Sequence, residues 1–365
     1  ADSSAVAAIV GSMCQMVVEE AKAGNAQVIA DAARIVGLDM APYCYLVDRR
    51  VEALPSDWHE QIPNTIFLNG VSGVKQPGFE VHDVIGRFGD ETVKVIESHV
   101  DREEPLFLYL PLTSPHLPVA PANFAEGKSK AGLYGDFTWE TDHFVGRVLG
   151  ALDAAGMSDN TFVLFTSDNG GLWHWWDFSA DDDGGKIRTT PRGKYVQEFG
   201  HQSNADWRGT KADIYEGGHR VPFLVRWPAR VEGGRVSDAL VELTDVHATI
   251  TEMVGARPRE GTSGMDSISF LPILTGELKT TRPNSVHHSL RGMFAIREGN
   301  WKLIEGRGSG GFTAPRHIEP KDGEPEGQLY DLSSDPQERV NLWEKEPEIV
   351  RSLLQNLNGI RTGRE

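Results

Sequence analysis

The sequence predicts an α/β fold: a mostly parallel central sheet flanked by helices, followed by a small C-terminal subdomain of antiparallel sheet plus helix. Two apolar runs carry the first part of that expectation. Residues 105–112 (PLFLYLPL) and 161–166 (TFVLFT) read as near-continuous hydrophobic strands, the pattern of strands buried on both faces. Between them, residues 134–155 place Phe137, Phe144, Val145, Val148 and Leu152 at helical spacing. A strand–helix–strand order implies parallel strands and a right-handed crossover. The C-terminal part rests on short strand-like runs at 285–290, 293–297, 301–304 and 328–332, with Glu298-Gly299-Asn300 as a hairpin turn.

Taken in order, residues 1–36 are Ala-rich, with Ile9, Met13, Met16, Val17, Val28, Ala32 and Ile35 at helix-like spacing, and read as one or two helices. Cys14 falls inside that apolar pattern and reads as a small buried thiol. Residues 37–78 are punctuated by Pro and Gly and read as loop-rich. A helix is expected over 90–100, with Val93, Val95 and Ile96 on its apolar side. Gly156 reads as the C-cap of the long helix. Residues 172–200, with Trp173, Trp175, Trp176 and the acidic run 181–183, read as a long loop. A strand over 221–227, a helix over 244–254 opening with Asp245 and His247, and a C-terminal helix over 347–359 complete the reading. The expected division is an N-terminal helical segment (1–36), an α/β domain (37–279) and a C-terminal subdomain (280–365).

Composition narrows the function. The 365 residues suffice for a large domain plus a smaller one. A formal net charge of −17 argues against nucleic acid as the main partner, because phosphate binding needs a basic face. It leaves room for a small anionic substrate in one cationic pocket. Two cysteines, Cys14 and Cys44, provide neither a disulfide framework nor a thiolate metal cluster. No apolar run is long enough to span a membrane, and the first residues lack a basic n-region followed by an apolar h-region.

The chemistry concentrates where strands end. In open α/β sheets, ligands gather beyond the carboxyl ends of the strands. The 161–166 run breaks there into Ser167-Asp168-Asn169-Gly170-Gly171, two hard-oxygen side chains of the kind Ca²⁺ takes, then two glycines that let another loop pass close by. The 105–112 run ends in Thr113-Ser114-Pro115-His116-Leu117-Pro118, where flanking prolines suit His116 to a fixed pocket position. Residues 200–228 (GHQSNADWRGTKADIYEGGHRVPFLVRWP) collect His201, Arg208, Lys211, His219 and Arg220 among glycines before a strand.

Together these stretches resemble the sulfatase family of the alkaline-phosphatase-like superfamily, from about residue 37 to the end. The resemblance runs through PLFLYLPLTSPHLP, the 132–171 helix–strand–loop, RGTKADIYEGGHRVPFLVRWP, FAIREGNWKLI and QLYDLSSDPQERVNL. It implies that Asp168 and Asn169 are two ligands of a divalent cation, normally Ca²⁺. It also implies that Lys211 contacts the sulfate and its bridging oxygen, that His116 hydrogen-bonds the sulfate or protonates the leaving oxygen, and that His201 lines the pocket. His116, Asp168, Asn169 and Lys211 are then expected to converge at one rim around a small-molecule or carbohydrate sulfate ester. Arg208 and Arg220 are expected to pair with acids such as Glu216. The family habit is secreted or periplasmic.

One departure bears on activity. The family nucleophile, a formylglycine matured from Cys or Ser in C/S-x-P-x-R, has no counterpart here: Cys14 lies in MCQMV, Cys44 in YCYLV, and no serine opens such a motif. The early Asp-Asp metal pair and a G-K-W-H-x-G segment are also missing. The sequence therefore reads as the C-terminal two-thirds of a sulfatase, with weak or absent metal binding and a sheet lacking its first strands. Two other readings stand beside it: a phosphate or phosphonate ester hydrolase of the same superfamily, and a non-catalytic binding protein on this scaffold.

Overall fold

The computed structural model describes residues 41–47, 50–61, 70–172, 199–256, 264 and 266–363, together with the backbone of 6–10 and 34–35. Residues 11–33, which hold Cys14 and most of the expected N-terminal helical pattern, and 173–198, which hold the three tryptophans and the acidic run, lie outside the described residues. The chain forms two compact units. The first comprises Ala1–Asp168, Tyr195–His201 and Pro222–Arg235; the second comprises Asn169–Lys194, Gln202–Val221 and Val236–Glu365.

In chain order the strands are β1 (Val6–Val10), β2 (Arg34–Ile35), β3 (Tyr45–Val47), β4 (Arg50–Val51), β5 (Asp57–His59), β6 (Gly73–Lys75), β7 (Phe107–Leu110), β8 (Thr161–Thr166), β9 (Phe223–Arg226), β10 (Asn284–His288), β11 (Phe294–Glu298), β12 (Trp301–Ile304) and β13 (Gln328–Asp331). The helices are α1 (Val84–Glu97), α2 (Gly132–Ala154), α3 (Glu216–His219), α4 (Asp245–Met253), α5 (Leu271–Leu274) and α6 (Pro347–Thr362).

The first unit is built on a sheet of order β7-β1-β8-β9. β1 pairs in parallel with both β7 and β8, and β9 closes the edge antiparallel to β8. The strand–helix–strand expectation therefore holds, with α2 as the crossover. Its stripe of Phe137, Phe144, Val148 and Leu152 is buried, and Gly156 follows it at φ 67°, a left-handed turn that glycine enters without a Cβ penalty. α1 starts earlier than its spacing predicted, with Val84, Ile85, Phe88 and Ile96 buried. Val84, Phe88 and Ile96 join Leu106, Leu108, Leu110, Val148, Leu152 and Val163 in one core.

The reading of residues 1–36 as helical needs correction at its two described segments. Val6–Val10 is a strand and takes the slot between β7 and β8; Arg34–Ile35 is a second, short strand. A short apolar run such as VAAIV fits helix and strand spacing equally, and pairing partners on both sides decide it. The same pairing fills the gap expected in the sheet.

In the second unit, β10 to β13 form an antiparallel sheet in sequence order. Successive side chains face opposite sides of a strand. Ile296, Leu303 and Leu329 meet Val350, Leu353 and Leu357 of α6, while Ala295, Ile304 and Tyr330 meet Ile214 and Tyr215. The sheet is thus covered on one face by a helix and on the other by the segment that follows Lys211.

Candidate active site

In the first unit, His116 and Asp168 both lie beyond the carboxyl ends of strands parallel to β1, so they share one edge of the sheet. His116 is exposed on a turn closed by its own N–H donating to the Thr113 carbonyl (3.1 Å). Its Nδ1–H donates to the Leu117 carbonyl (3.0 Å), which makes Nε2 the basic nitrogen of the ring. α2 holds the surrounding loop from below. The Ser114 hydroxyl donates to Thr141 Oγ1 (2.6 Å), whose own proton goes to the Phe137 carbonyl (2.9 Å). Glu140 accepts the Ala122 N–H (2.9 Å), and Asp136 accepts the Gly127 (2.9 Å) and Ser129 (2.7 Å) N–H groups. Burial without a cation pushes the Glu140 carboxyl up to about 7. The His201 ring rests on Tyr134, in the first turn of α2, with centroids 6.0 Å apart.

In the second unit, backbone hydrogen bonds place the Asn169–Gly171 turn beside the Lys211 loop. Lys211 N–H (3.2 Å) and Thr210 Oγ1–H (2.5 Å) both donate to the Gly171 carbonyl, and Gly170 N–H donates to the Gly218 carbonyl (3.0 Å). A Cβ at Gly170 would sit 1.8 Å from the Gly217 carbonyl oxygen, so the close approach inferred from the two glycines is real. Asn169 and Lys211 are thereby brought together.

The Lys211 loop is itself tightly held. Ala212 adopts φ 79°, which costs a residue with a Cβ, and its carbonyl accepts the Leu290 N–H (2.9 Å). Asp213, fully buried, accepts Thr210 N–H (2.9 Å), Phe312 N–H (2.7 Å), Thr313 N–H (3.0 Å) and the Thr313 hydroxyl. Behind it, Lys302 is fully buried with its ammonium 3.0 Å from Glu216 and 2.9 Å from Glu338. Burial alone would raise the Glu216 carboxyl, but Lys302, Arg297 and Arg220 outweigh it and hold it down at about 2. Arg220 pairs with Glu216 (3.4 Å), and Arg208 lies over the Tyr215 ring and donates to the Tyr330 hydroxyl and the Glu338 carbonyl. Arg220 thus pairs with the acid expected of it, whereas among the described residues the partners of Arg208 are a ring, a hydroxyl and a backbone carbonyl rather than a carboxylate.

Sequence reasoning missed Lys302, Glu338, Asp213 and Asn204. Lys302 carried a signal: one cation inside the apolar strand WKLI, where a charge needs a buried partner. Asn204 carried none.

The donor set was tested against Ca²⁺, which takes 6–8 oxygens. Asp168 and Asn169 have suitable oxygens, but among the described residues no group of three or more His, Cys, Asp or Glu could hold a metal ion. Two residues do not make a full shell. Among the described residues no helix is long and apolar enough to cross a membrane.

Comparison with known proteins resolves the lineage. A sequence model described as Sulfatase matches residues 79–256, and one described as N-sulphoglucosamine sulphohydrolase, C-terminal, matches 207–363. The chain belongs to the sulfatase family. It is 32% identical over 319 residues to an N-acetylgalactosamine-6-O-sulfatase of Bacteroides thetaiotaomicron, covering 86% of this chain and 58% of that protein. It is 31% identical over 300 residues to mouse steryl-sulfatase, covering 76% of this chain and 44% of that protein. The chain thus spans about half the length of these relatives. A 6S-sulfatase structure from glycosaminoglycan metabolism in B. thetaiotaomicron superposes with TM-score 0.74 at 25% identity, over 98% of this chain and 80% of that one. A phosphonate monoester hydrolase of Agrobacterium radiobacter shares the fold, with TM-score 0.51 at 16% identity over 79% of this chain and 62% of that one.

Proposed function

We propose that this sulfatase-family chain recognises sulfate esters of carbohydrates, as the substrate-binding part of a sulfuric-ester hydrolase. The observation that supports it is the Lys211 loop bonded directly to the Asn169–Gly171 turn. A sulfate ester needs fixed positive charge at its non-bridging oxygens and a proton or cation at the departing one. Lys211 supplies a compact point charge at the sulfate and the bridging oxygen. His116, with Nδ1–H donated to the Leu117 carbonyl, would hydrogen-bond the sulfate or pass a proton to the leaving oxygen from Nε2–H, as the imidazolium. His201 lines the pocket. Asp168 and Asn169 are part of a Ca²⁺ shell in this reading. A relative that matches 86% of this chain is named for a 6-O-sulfated amino sugar, which makes N-acetylgalactosamine 6-sulfate the first ligand to try.

With no C/S-x-P-x-R motif among the 365 residues, the expected behaviour is binding without turnover. Calorimetric titration of the chain with N-acetylgalactosamine 6-sulfate, an aryl sulfate and the matching 6-phosphate, alongside assay of released sulfate, tests this. Lys211→Ala should weaken sulfate-ester binding roughly tenfold or more, the loss of one charge-assisted contact. Preference for the phosphate would move the chain to the phosphate or phosphonate ester class. Absence of any ester binding would leave only a scaffold role.

A further inference from the structure

Asn204 is buried, carries no charge, and bonds to backbone through both ends of its amide. Oδ1 accepts the Gly171 N–H (2.7 Å), while Nδ2 donates to the Gly171 carbonyl (2.9 Å) and the Gly209 carbonyl (3.1 Å). One side chain thus pairs with both polar groups of Gly171, as a neighbouring strand would, and with the loop that carries Lys211. Gly171 has no room for a side chain there: its Cβ would lie 2.8 Å from Ser203 Cβ and 3.0 Å from Asn204 Oδ1. We propose that Asn204 is the positioning residue of the site, fixing Asn169 against Lys211 by clamping Gly171 to Gly209. The proposal rests on the reading of Asn169 and Lys211 as sulfate-site residues, and deepens it.

The same unit contains a second clamp of the same chemistry, away from these loops. Asn341 Oδ1 accepts the Leu329 and Trp343 N–H groups (3.0 Å each), and Nδ2 donates to the Gly327 carbonyl (3.0 Å). It binds β13 to the chain leading into α6. Asn341→Ala therefore removes an equivalent set of bonds without touching the Lys211 loop, and serves as the control for stability.

The test measures amide hydrogen-exchange protection and calorimetric affinity for N-acetylgalactosamine 6-sulfate in the full chain. Asn204→Ala should lower protection of the Gly170, Gly171 and Lys211 amides roughly tenfold, leave β10–β13 unchanged, and weaken the ester by a similar factor. Asn341→Ala should leave both site readouts within about twofold of wild type. Asn204→Asp should behave like the alanine variant when ionised, because a carboxylate cannot donate to Gly171 and Gly209. Below roughly pH 4.5 it should recover toward wild type at the same pH, because the protonated acid again has one donor.

Unchanged protection at the three amides in Asn204→Ala overturns the proposal. So does loss of protection spread over the whole unit, lost protection with unchanged affinity, or an equal loss of affinity in Asn341→Ala. If the wild-type chain binds no ester, the sulfate reading falls, and the exchange data alone decide whether Asn204 holds the two loops together.

Discussion

The loop that carries His116 and the loop that carries Lys211 are both fastened by buried polar side chains, yet charge is handled in opposite ways. Under the His116 loop, Glu140 has no cation among the described residues and drifts up to about 7 by burial. Behind the Lys211 loop, two carboxylates share the Lys302 ammonium, and the imidazoles of His219 and His287 lie against each other, ring centroids 4.3 Å apart. Burial first, then Lys302, push His219 down to about 4 and His287 well below its ordinary range. A carboxyl neutralised by a proton and a carboxyl neutralised by an ammonium can look equally buried. They differ in what pH does to them.

The largest effect expected is at Lys302. Lys302→Met leaves Glu216 and Glu338 facing each other in the interior, and should cost on the order of 3–5 kcal/mol, the range for breaking a buried pair from one side. Denaturant unfolding should show this loss confined to the second unit. Adding Glu216→Gln and Glu338→Gln to Lys302→Met should recover part of it. If Lys302→Met unfolds no more easily than wild type, the ion cluster is not what secures the Lys211 loop.

Next in size is the pH response. The folded-state pKa of His219, about 4 against an ordinary 6.5, lets the unfolded chain take up the proton first as pH falls. The second unit should therefore lose stability between pH 6.5 and 4, with a ceiling of roughly 3 kcal/mol. Glu140 works the other way. Its folded-state pKa of about 7 lies above the ordinary 4.5, so its contribution is full below 4.5 and is lost as pH rises through 7, again with a ceiling of roughly 3 kcal/mol. Hydrogen exchange followed from pH 4 to 8, corrected for intrinsic rates, should show the two loops loosening at opposite ends. Glu140→Gln should flatten the alkaline limb alone. Parallel loosening of both loops would erase the contrast.

How much of this could be read from sequence follows the range of the interaction. β8 has the bounds its apolar run predicted, and Gly170 was legible because a residue without a side chain announces a close approach locally. β1 was misread because VAAIV has no periodicity of its own; its two neighbours make it a strand. The Glu216–Lys302 pair joins residues 86 apart, and Asn204 grips the Gly171 backbone 33 residues away. Such partners are chosen by the tertiary fold, so the candidate site residues could be singled out in the sequence while the side chains that hold their loops could not.

The smallest effect sharpens the comparison most. Thr141→Val keeps the volume and β-branching of the side chain in α2 but removes the acceptor for the Ser114 hydroxyl and the donor to Phe137. Ser114 is only half-buried and can turn to water, so the loss should be about 1 kcal/mol, the net value of an ordinary hydrogen bond. It should appear as faster exchange of the His116 amide, which closes its turn on Thr113, and as a few-fold weaker sulfate ester. Exchange at Gly170, Gly171 and Lys211 should not move, because the side-chain hydrogen bonds of Thr141 go to Ser114 and Phe137. Equal loosening of the Lys211 loop would mean that the two loops are fastened as one, and that proton-neutralised and ammonium-neutralised supports are parts of a single device.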